Sequence, residues 1–534
     1  MNSRPSDATP TRAELLARLE PSAPWDVIVI GGGATGLGTA VDAASRGFRT
    51  LLLEGADFAK GTSSKATKLV HGGVRYLAQG NVSLVREALH ERGLLARNAP
   101  HLAWPLGFVV PAYSMLDQPF YGVGLKLYDM LAGKLNLAPS RWLSSRETLA
   151  RASTLAPAVN GQRLRGGVLY YDGQFDDARL ATALMRTLLD LSGTAINYVK
   201  VVGLTRDAQG RIDGVRTHDT IDDTQHTVSG RCVINATGVW VDAVRRMDDP
   251  AAQTMVAPSQ GVHLTLPRDF LPGEQAILVP KTDDGRVLFM VPWNGHTIVG
   301  TTDSARTDLP IDPRPMPGEV DFILETAARY LTRKPTRADV TSVWAGLRPL
   351  VKATGDASTK SLSREHTILT AKSGLITVTG GKWTTYRRMA QDVMDTAISK
   401  QLLPQAPCRS AQLRLHGAPA ADARPLAPQG TPDSYYGTDL PALRALPGAD
   451  RMLVQASGLT EAHVRYAARH ELAQSVEDVL ARRNRALFLD AAAASVAAPE
   501  VARILAQELD RDDAWQQRTV ADFEAVAATF RLPD

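Results

Sequence analysis

The chain has 534 residues, of which 44% are apolar and 22% charged, with a net charge of +4 and two cysteines. This length and composition predict a globular protein of about three domains. The small net charge, without a long block of Lys or Arg, argues against nucleic-acid binding. Two cysteines supply neither a disulfide framework nor a metal-ligand cluster. No stretch approaches the ~20 apolar residues of a membrane span, and residues 1–24 form a polar tail without the features of a signal peptide. We therefore expect an intracellular chain.

A nucleotide-binding motif follows this tail. Residues 25–30 form an apolar run typical of a buried parallel strand, and Gly31, Gly33 and Gly36 come directly after it. The first glycine would make the tight turn, the second would let the backbone approach a pyrophosphate, and the third would let helix and strand pack closely. The N-terminus of the following helix would bind the phosphates. Glu54 ends the next strand, at the place where an acid binds ribose hydroxyls.

The next segments mix loops, helices and strands. Residues 58–76 predict a loop rich in Gly, Ser, Thr and Lys, and residues 82–98 have the 3.6-residue period of a helix. Residues 100–139 predict loops and one short helix near 121–131. Residues 166–191 predict a strand that turns into an amphipathic helix, and residues 207–210 predict the turn of a hairpin.

Two later turns return to the nucleotide. A buried strand from Arg231 runs into Ala236, Thr237 and Gly238, a turn typical of two-dinucleotide flavoproteins, and this favours FAD over NAD. A second strand reaches the pair Gly380-Gly381 and is followed by a helix from about residue 382 to 399. The N-terminus of that helix would stabilise an anionic reduced flavin, although an ordinary strand-to-helix turn explains this segment equally well.

The rest of the chain predicts a substrate-binding sheet and a helical end. Residues 259–350 contain antiparallel strands with a helix at 320–331, a sheet that would cover the cofactor and hold the substrate. Residues 460–530 predict helices. Within them, the basic run from Arg482 to Arg485 is interpreted as a solvated face, with contact to a membrane surface as the alternative.

With these segments assembled, the chain resembles the FAD-dependent, quinone-linked glycerol-3-phosphate dehydrogenases. The His-Gly-Gly-x-Arg-Tyr and Gly-Gly-Lys-x-Thr-Thr-Tyr-Arg segments are specific to that family and its oxidase relatives. The resemblance spans residues 25 to 400 and, more weakly, the helical end. It is carried by the segments 30–36, 63–64, 68–77, 235–240, 300–303, 346–350 and 380–387.

The resemblance implies an α/β fold. We expect a two-dinucleotide-type, glutathione-reductase-like FAD-binding domain, an inserted antiparallel β substrate domain and an α-helical C-terminal domain. The implied division is a polar tail at 1–24, the FAD-binding domain at 25–258 and 351–400, the substrate domain at 259–350, and the helical domain at 401–534.

It also implies the reaction: oxidation of sn-glycerol 3-phosphate at C2 to dihydroxyacetone phosphate, with the hydride passing to flavin N5 and the electrons to a membrane quinone. The substrate phosphate would be held by arginine forks, and the C2 hydroxyl proton would go to His71 or His263. Lys382 would stabilise the reduced flavin or the substrate hydroxyls. The expected catalytic residues are thus His71, His263, Arg348 and Lys382, and the expected substrate-binding residues are Arg75, Tyr76, Arg348 and Arg364. The expected FAD-binding residues are Gly31, Gly33, Ala34, Thr35, Gly36, Glu54, Ser63, Ser64, Lys68, Leu69, Ala236, Thr237, Gly238, Gly380, Gly381, Lys382, Trp383 and Thr384.

The residues leave several alternatives open. The same oxidation could use oxygen and release hydrogen peroxide, because oxygen reactivity depends on access to the flavin. An amino-acid oxidase would lack the arginines suited to phosphate. An FAD-bearing RNA-modification or RNA-binding protein is a further alternative, disfavoured by the absence of a basic stripe and of a catalytic cysteine cluster. A non-catalytic FAD-binding protein is the remaining alternative, and it would show no substrate-dependent bleaching. Peripheral attachment to the inner face of the cytoplasmic membrane and a homodimer are expected from the resemblance alone, since the sequence presents no convincing amphipathic anchor.

Overall fold

The computed structural model describes residues 9–20, 23–73, 77, 80–115, 117–280, 282, 285–352 and 366–533, with the backbone alone at 118–120. Two large sheets share the core of the described chain, and the C-terminal helices pack against both. The α-helices span Arg12–Ala17, Ala34–Ser45, Val82–Asn98, Asp117–Ala132, Ser145–Arg151, Asp177–Asp190, Val241–Asp248, Glu319–Tyr330, Tyr386–Ser399, Leu440–Arg444, Glu461–His470, Ala486–Leu489, Ala491–Leu509 and Asp513–Ala527.

The first sheet is built around the strand that precedes the glycine turn. Trp25–Ile30 pairs in parallel with Thr50–Leu53 on one side and with Thr224–Asn235 on the other. The strand is buried almost throughout, which explains its continuous apolar run. The order in the sheet is Val199–Arg206, Ile212–Asp219, Thr224–Asn235, Trp25–Ile30, Thr50–Leu53 and Thr194–Ile196, with Ile376–Gly380 and then His366–Thr370 added beside Thr224–Asn235. The parallel core and the predicted hairpin at 207–210 are thereby confirmed.

The second sheet contains the predicted antiparallel strands. Its strands are Leu69–Val70, Ala103–Ala112, Arg141–Ser144, Gly166–Phe175, Val256–Pro267, Ala276–Val279, Leu288–Trp293, His296–Gly300, Ser304–Ala305 and Ser342–Val351. Four of them come from the region 69–175, which the sequence placed in the first part of the nucleotide-binding unit. The second sheet is therefore larger than the predicted segment 259–350, and the domain boundaries themselves stay predictions.

One prediction in the middle of the chain is wrong. Residues 100–139 contain a ten-residue strand, Ala103–Ala112, where the sequence predicts loops. Pro105, Gly107 and Pro111 obscure its pattern, because both residue types are ordinarily depleted in strands. The strand is nevertheless held along its whole length by Gly166–Phe175. The helix that follows is also longer than predicted and spans Asp117–Ala132.

The basic run at the C-terminal end is buried, so both interpretations of it, a solvated face and a membrane contact, are wrong. Arg482 and Arg483 have 2% and 3% of their surface exposed. Both guanidinium groups contact the Asp57 carboxylate, with Arg483 binding it through two nitrogens at 2.6 and 2.8 Å. Arg485 contacts Asp177 at 3.2 Å. These pairs join the C-terminal region to the loop after Glu54 and to the start of helix Asp177–Asp190, which are tertiary contacts that composition does not reveal.

A second charged cluster holds His416, which lies between helix Tyr386–Ser399 and the C-terminal helices. The imidazole of His416 lies between two carboxylates, with Nδ1 2.7 Å from Asp190 and Nε2 2.8 Å from Asp439. Burial alone would lower the pKa of His416, but the two hydrogen bonds outweigh it and raise that pKa. The imidazole is thus stabilised in its protonated form.

Among the described residues, no helix is long and apolar enough to cross a membrane. The same residues contain no cluster of three or more His, Cys, Asp or Glu able to bind a metal ion.

Candidate active site

The glycine turn places a helix N-terminus at the edge of the first sheet. Gly31 has φ of +110°, a backbone conformation that residues with a side chain rarely adopt. A Cβ atom on Gly36 would lie 1.8 Å from the Gly31 carbonyl oxygen. Only glycine lets Ala34–Ser45 begin so close to the strand, and the first turn of this helix carries N–H groups that no carbonyl within the helix can accept from.

Glu54 lies beside this turn. Its carboxylate accepts hydrogen bonds from the Gly32 N–H at 2.6 Å and from the Ala56 N–H at 2.8 Å. Burial raises the pKa of Glu54, and the two backbone donors partly offset that effect. The acid is therefore fixed at the carboxyl end of its strand, where the ribose of a bound nucleotide would lie.

A cavity of about 770 Å³ extends from the glycine turn to the second sheet. Its volume is that of a pocket for a large ligand. Most of the residues predicted to bind cofactor or substrate lie on its wall, although they come from distant parts of the chain. They are Gly31, Gly33, Ala34, Thr35, Glu54, Ser63, Leu69, His71, Ala236, Thr237, Gly238, His263, Arg348, Gly380, Gly381, Lys382, Trp383 and Thr384.

The wall fits a dinucleotide. Gly33 faces Ser63. A Cβ atom on residue 33 would lie 3.0 Å from the Ser63 Oγ, so the wall leaves little room for a side chain there. Two helical N-termini, at Ala34 and after Lys382, end at the same cavity and would face negative charge. The Trp383 indole N–H donates to the Ser63 carbonyl at 2.9 Å and so links the two chain segments that contribute these residues to the wall.

The remaining predicted residues lie elsewhere. Gly36 acts in the turn and Ser64 is buried behind the wall. The ammonium group of Lys68 is fully buried and faces Asp177 at 2.8 Å, and burial lowers the pKa of Lys68 to about 8. Its side chain is thus an internal ion-pair partner directed away from the cavity. Arg75, Tyr76 and Arg364 lie outside the described residues.

Arg348 presents its guanidinium group on the cavity wall. One nitrogen lies 3.2 Å from Asp303, and the other donates to the Thr302 carbonyl at 3.0 Å and to Thr301 at 3.2 Å. Gly261 leaves room for the group, since a Cβ atom there would be 2.3 Å from it. The side chain is half-buried, and its planar guanidinium group on the cavity wall is of the kind that binds anions.

His263 lies on the adjacent strand of the same sheet. Its ring stacks on Trp344, with 5.3 Å between the ring centres, and its Nε2 is 2.9 Å from the Thr67 hydroxyl. Burial, and then the positive charges of Lys68 and Arg348, lower the pKa of His263 well below its ordinary value. The imidazole is neutral at pH 7 and can accept a proton.

His71 is also on the wall, in a loop tied to the start of the Lys382 helix. The His71 N–H donates to the Thr384 hydroxyl at 3.2 Å. The structure therefore brings both histidines, Arg348 and Lys382 to one cavity.

Two acidic residues on the wall were not predicted as site residues. Asp303 orients Arg348, as described above. Asp172, at the end of strand Gly166–Phe175, accepts from Arg92 and from the Tyr128 hydroxyl, each at 2.7 Å. That hydroxyl also accepts from the Gly72 N–H at 2.7 Å, so this cluster positions the loop that carries His71. The sequence offered one signal for each acid: Asp303 comes shortly after Gly300, the last residue of a strand, and Asp172 follows Tyr171 within a strand.

Comparison with known proteins agrees with this geometry. A family model described as FAD dependent oxidoreductase matches residues 26–387, and one described as the C-terminal domain of alpha-glycerophosphate oxidase matches residues 375–516. The chain is 40% identical to a mitochondrial glycerol-3-phosphate dehydrogenase of Arabidopsis thaliana, over 99% of this chain and 90% of that protein. It is 39% identical to the human mitochondrial glycerol-3-phosphate dehydrogenase, over 95% and 74%. The X-ray structure of a Bacillus halodurans glycerol-3-phosphate dehydrogenase complexed with FAD superposes with a TM-score of 0.78, at 29% identity and 98% coverage of both chains.

Proposed function

The chain belongs to the FAD-dependent glycerol-3-phosphate dehydrogenase family, and we propose that the cavity between its two large sheets holds FAD and sn-glycerol 3-phosphate together, with a membrane quinone as the final electron acceptor. The observation that carries this proposal is the convergence of the glycine turn, Arg348, His263 and Lys382 on one wall. A nucleotide-binding protein without catalysis would not require these three side chains beside the cofactor site.

The residues on the cavity wall have different proposed roles. FAD, when bound, supplies the two-electron acceptor for oxidation at C2 of the substrate. Arg348 binds the substrate phosphate, because its planar guanidinium group matches two phosphate oxygens and is already oriented by Asp303. Lys382 supplies a positive charge at the start of a helix, where negative charge on the reduced site is stabilised.

Removal of the C2 hydroxyl proton is assigned to His263. Burial is the main cause of the low pKa of this imidazole, and the charges of Lys68 and Arg348 add to it. A phosphate dianion on Arg348 would offset the part that this arginine contributes and make His263 a stronger base when substrate is bound. His71 is the alternative base. Comparison of His263→Ala with His71→Ala distinguishes the two candidate bases. The variant that lacks the base should lose the fall in kcat at low pH, whereas a variant that lacks only a positioning residue should keep it.

The decisive experiment is anaerobic. Purified holoenzyme is mixed with sn-glycerol 3-phosphate without an acceptor, and the long-wavelength absorption of oxidised flavin is followed. Bleaching that a soluble quinone reverses quickly and air reverses slowly supports the dehydrogenase. Fast reversal by air with peroxide release would make the chain an oxidase. Flavin that never bleaches would refute the substrate assignment.

An exposed apolar surface supports membrane attachment. Helix Asp117–Ala132 exposes Val123, Leu127 and Met130 by 71%, 42% and 76%, at the spacing of one helical face. Trp142 packs its ring against Gly122 on this helix and is itself 44% exposed. Large exposed apolar side chains clustered in this way mark an interaction surface. This helix face is a candidate for the amphipathic anchor that was not identified from the sequence.

The composition of this docking patch, defined as Val123, Leu127, Met130 and Trp142, fits a lipid surface. Exposed Lys126, Lys134 and Arg141 lie among or next to the patch residues and would face anionic headgroups. The inner face of the same helix carries Tyr128, which contacts the His71 loop and Asp172. Docking here would place a bilayer one helix away from the cavity, within reach of a lipid-soluble quinone.

Vesicle sedimentation tests the patch. The double variant Val123→Glu, Met130→Glu should lose binding to vesicles of phosphatidylglycerol and phosphatidylcholine, because it adds charge to the apolar face. Val496→Glu is the matched control, since Val496 is 84% exposed on a C-terminal helix outside the patch. Equal binding of both variants would remove the patch as the attachment site. Attachment at the inner face of the cytoplasmic membrane and a homodimer are proposed with it, the latter to be checked by sedimentation velocity.

A further inference from the structure

A short segment that follows a strand of the second sheet contacts the loop that contains Lys60 and Lys65, here called the cofactor loop. Residues 306–314, here called the strap, connect strand Ser304–Ala305 to the turn before helix Glu319–Tyr330. Ile311 of the strap lies on the cavity wall. The Trp240 indole N–H, from the turn after Gly238, donates to the Leu309 carbonyl at 3.2 Å. The strap thus borders the cavity at Ile311 and contacts the turn after Gly238 through Leu309.

Charged contacts hold the middle of the strap. The two oxygens of Asp312 lie 3.0 Å from the Lys65 ammonium group and 3.0 Å from that of Lys60. Lys65 also donates to the Ile311 carbonyl at 2.7 Å, and Lys60 pairs with Glu477 of the C-terminal helices. Only 14% of the Asp312 side chain is exposed. Burial would raise the pKa of Asp312, but the charges of Lys65 and Lys60 outweigh it and lower that pKa to about 2.

The partners of Asp312 belong to the loop that walls the cofactor site. Lys60, Ser63 and Lys65 all line the cavity. The Ser63 hydroxyl accepts from the Ala34 N–H at 2.9 Å, which ties this loop to the helix N-terminus expected to bind the pyrophosphate. A strap bound to this loop is therefore bound to the cofactor wall itself.

The ends of the strap are fixed separately. The Gln260 side chain donates to the Arg314 carbonyl at 3.0 Å, and Arg306 contacts both Gln260 and Asp308. Gln260 belongs to strand Val256–Pro267 of the second sheet, whereas Arg306 and Asp308 belong to the strap itself. The ends of the strap are thus held by contacts that involve neither Asp312 nor its lysine partners.

We propose that the strap closes the cofactor cavity, that Asp312 latches it to Lys60 and Lys65, and that opening of this latch limits the release of FAD. The proposal rests on the proposed function only in that the cavity binds FAD. Asp312 is a positioning residue in this view, since it acts through the loop and has no part in substrate chemistry. Loss of its charge removes two charge-assisted contacts that are shielded from water.

The test measures cofactor release from purified holoenzyme without substrate. FAD dissociation is followed by the rise of free-flavin fluorescence after rapid dilution. Asp312→Asn should release FAD at least about tenfold faster than the wild type, since two charged contacts are weakened together. Asp308→Asn is the matched control, because Asp308 is on the same strap but pairs with Arg306 and is 61% exposed. Its release rate should equal that of the wild type.

Two further measurements separate a latch from a merely structural residue. The thermal midpoint should fall in the Asp312→Asn apoprotein, because Lys60 and Lys65 lose their shared anion, and should fall further in the holoprotein, where bound FAD stabilises the variant less. Lys60→Gln, which weakens the latch from the opposite side, should also speed release and supplies the test if Asp312→Asn does not fold. Wild-type release rates in both latch variants, or equal acceleration in Asp308→Asn, would overturn the proposal. Flavin that binds with latch-dependent release but is not bleached by glycerol 3-phosphate would refute the substrate while leaving the latch intact.

Discussion

Replacement of Arg348 by Lys tests how the cavity recognises phosphate. The substitution keeps the positive charge but removes the planar fork. In the structure the guanidinium group contacts Asp303, the Thr302 carbonyl and Thr301, and these contacts fix its plane on the cavity wall. A lysine at this position has one nitrogen and would either keep these contacts or bind the phosphate.

The expected magnitude follows from the number of bonds lost. One hydrogen bond to a charged group contributes about 1.5–3 kcal/mol. Its loss should lower kcat/KM about 10- to 150-fold, mainly through KM, because no bond of the phosphate group changes when C2 is oxidised. The assay is dye-linked oxidation of glycerol 3-phosphate at saturating FAD, with inorganic phosphate as a competitive inhibitor.

The inhibition constant of phosphate should rise in parallel with KM, while the FAD content of the protein stays unchanged. Arg337→Lys is the control, since Arg337 forms an exposed ion pair with Asp321 far from the cavity wall. If KM and phosphate inhibition in Arg348→Lys both stay within about twofold of the wild type, the arginine does not bind phosphate and the reasoning fails.

Three other outcomes are expected. Gly36→Ala should abolish FAD binding, measured by flavin retention on gel filtration, because its Cβ would clash with the Gly31 carbonyl; Gly124→Ala, with open space around it, should retain FAD. Asp57→Asn should destabilise the protein by about 3–5 kcal/mol, seen as a lower thermal midpoint, because two buried guanidinium groups lose their shared anion; an unchanged midpoint would contradict this. His416 has a raised pKa in the folded state, so its contribution to stability is complete below about pH 6.5 and is lost as the pH rises through the raised value. His416→Gln should flatten the pH dependence of the thermal midpoint over that range, and an unaltered dependence would contradict the assignment.

The sequence by itself determined the nucleotide turn and the chemistry of the site. Gly31 and Gly36 are required by backbone geometry within a few residues, so the turn can be identified without knowledge of the rest of the chain. The periodicity of helix Val82–Asn98 and the hairpin at 207–210 are local in the same sense. The residue types of Arg348, His263 and Lys382, together with family resemblance, were sufficient to select them as site residues.

Only the tertiary structure decided which charges are buried and what they contact. Arg482 pairs with Asp57 across 425 residues of sequence, and no local pattern distinguishes such a partner from solvent. Lys68 was selected for the cofactor wall from a matching segment, yet its left-handed backbone and Asp177 direct its ammonium group inward. The apolar face of Asp117–Ala132 became visible only when the second sheet covered the opposite face of the helix. Local rules act over one or two turns of chain, whereas burial is set by segments that meet only when the whole chain has folded.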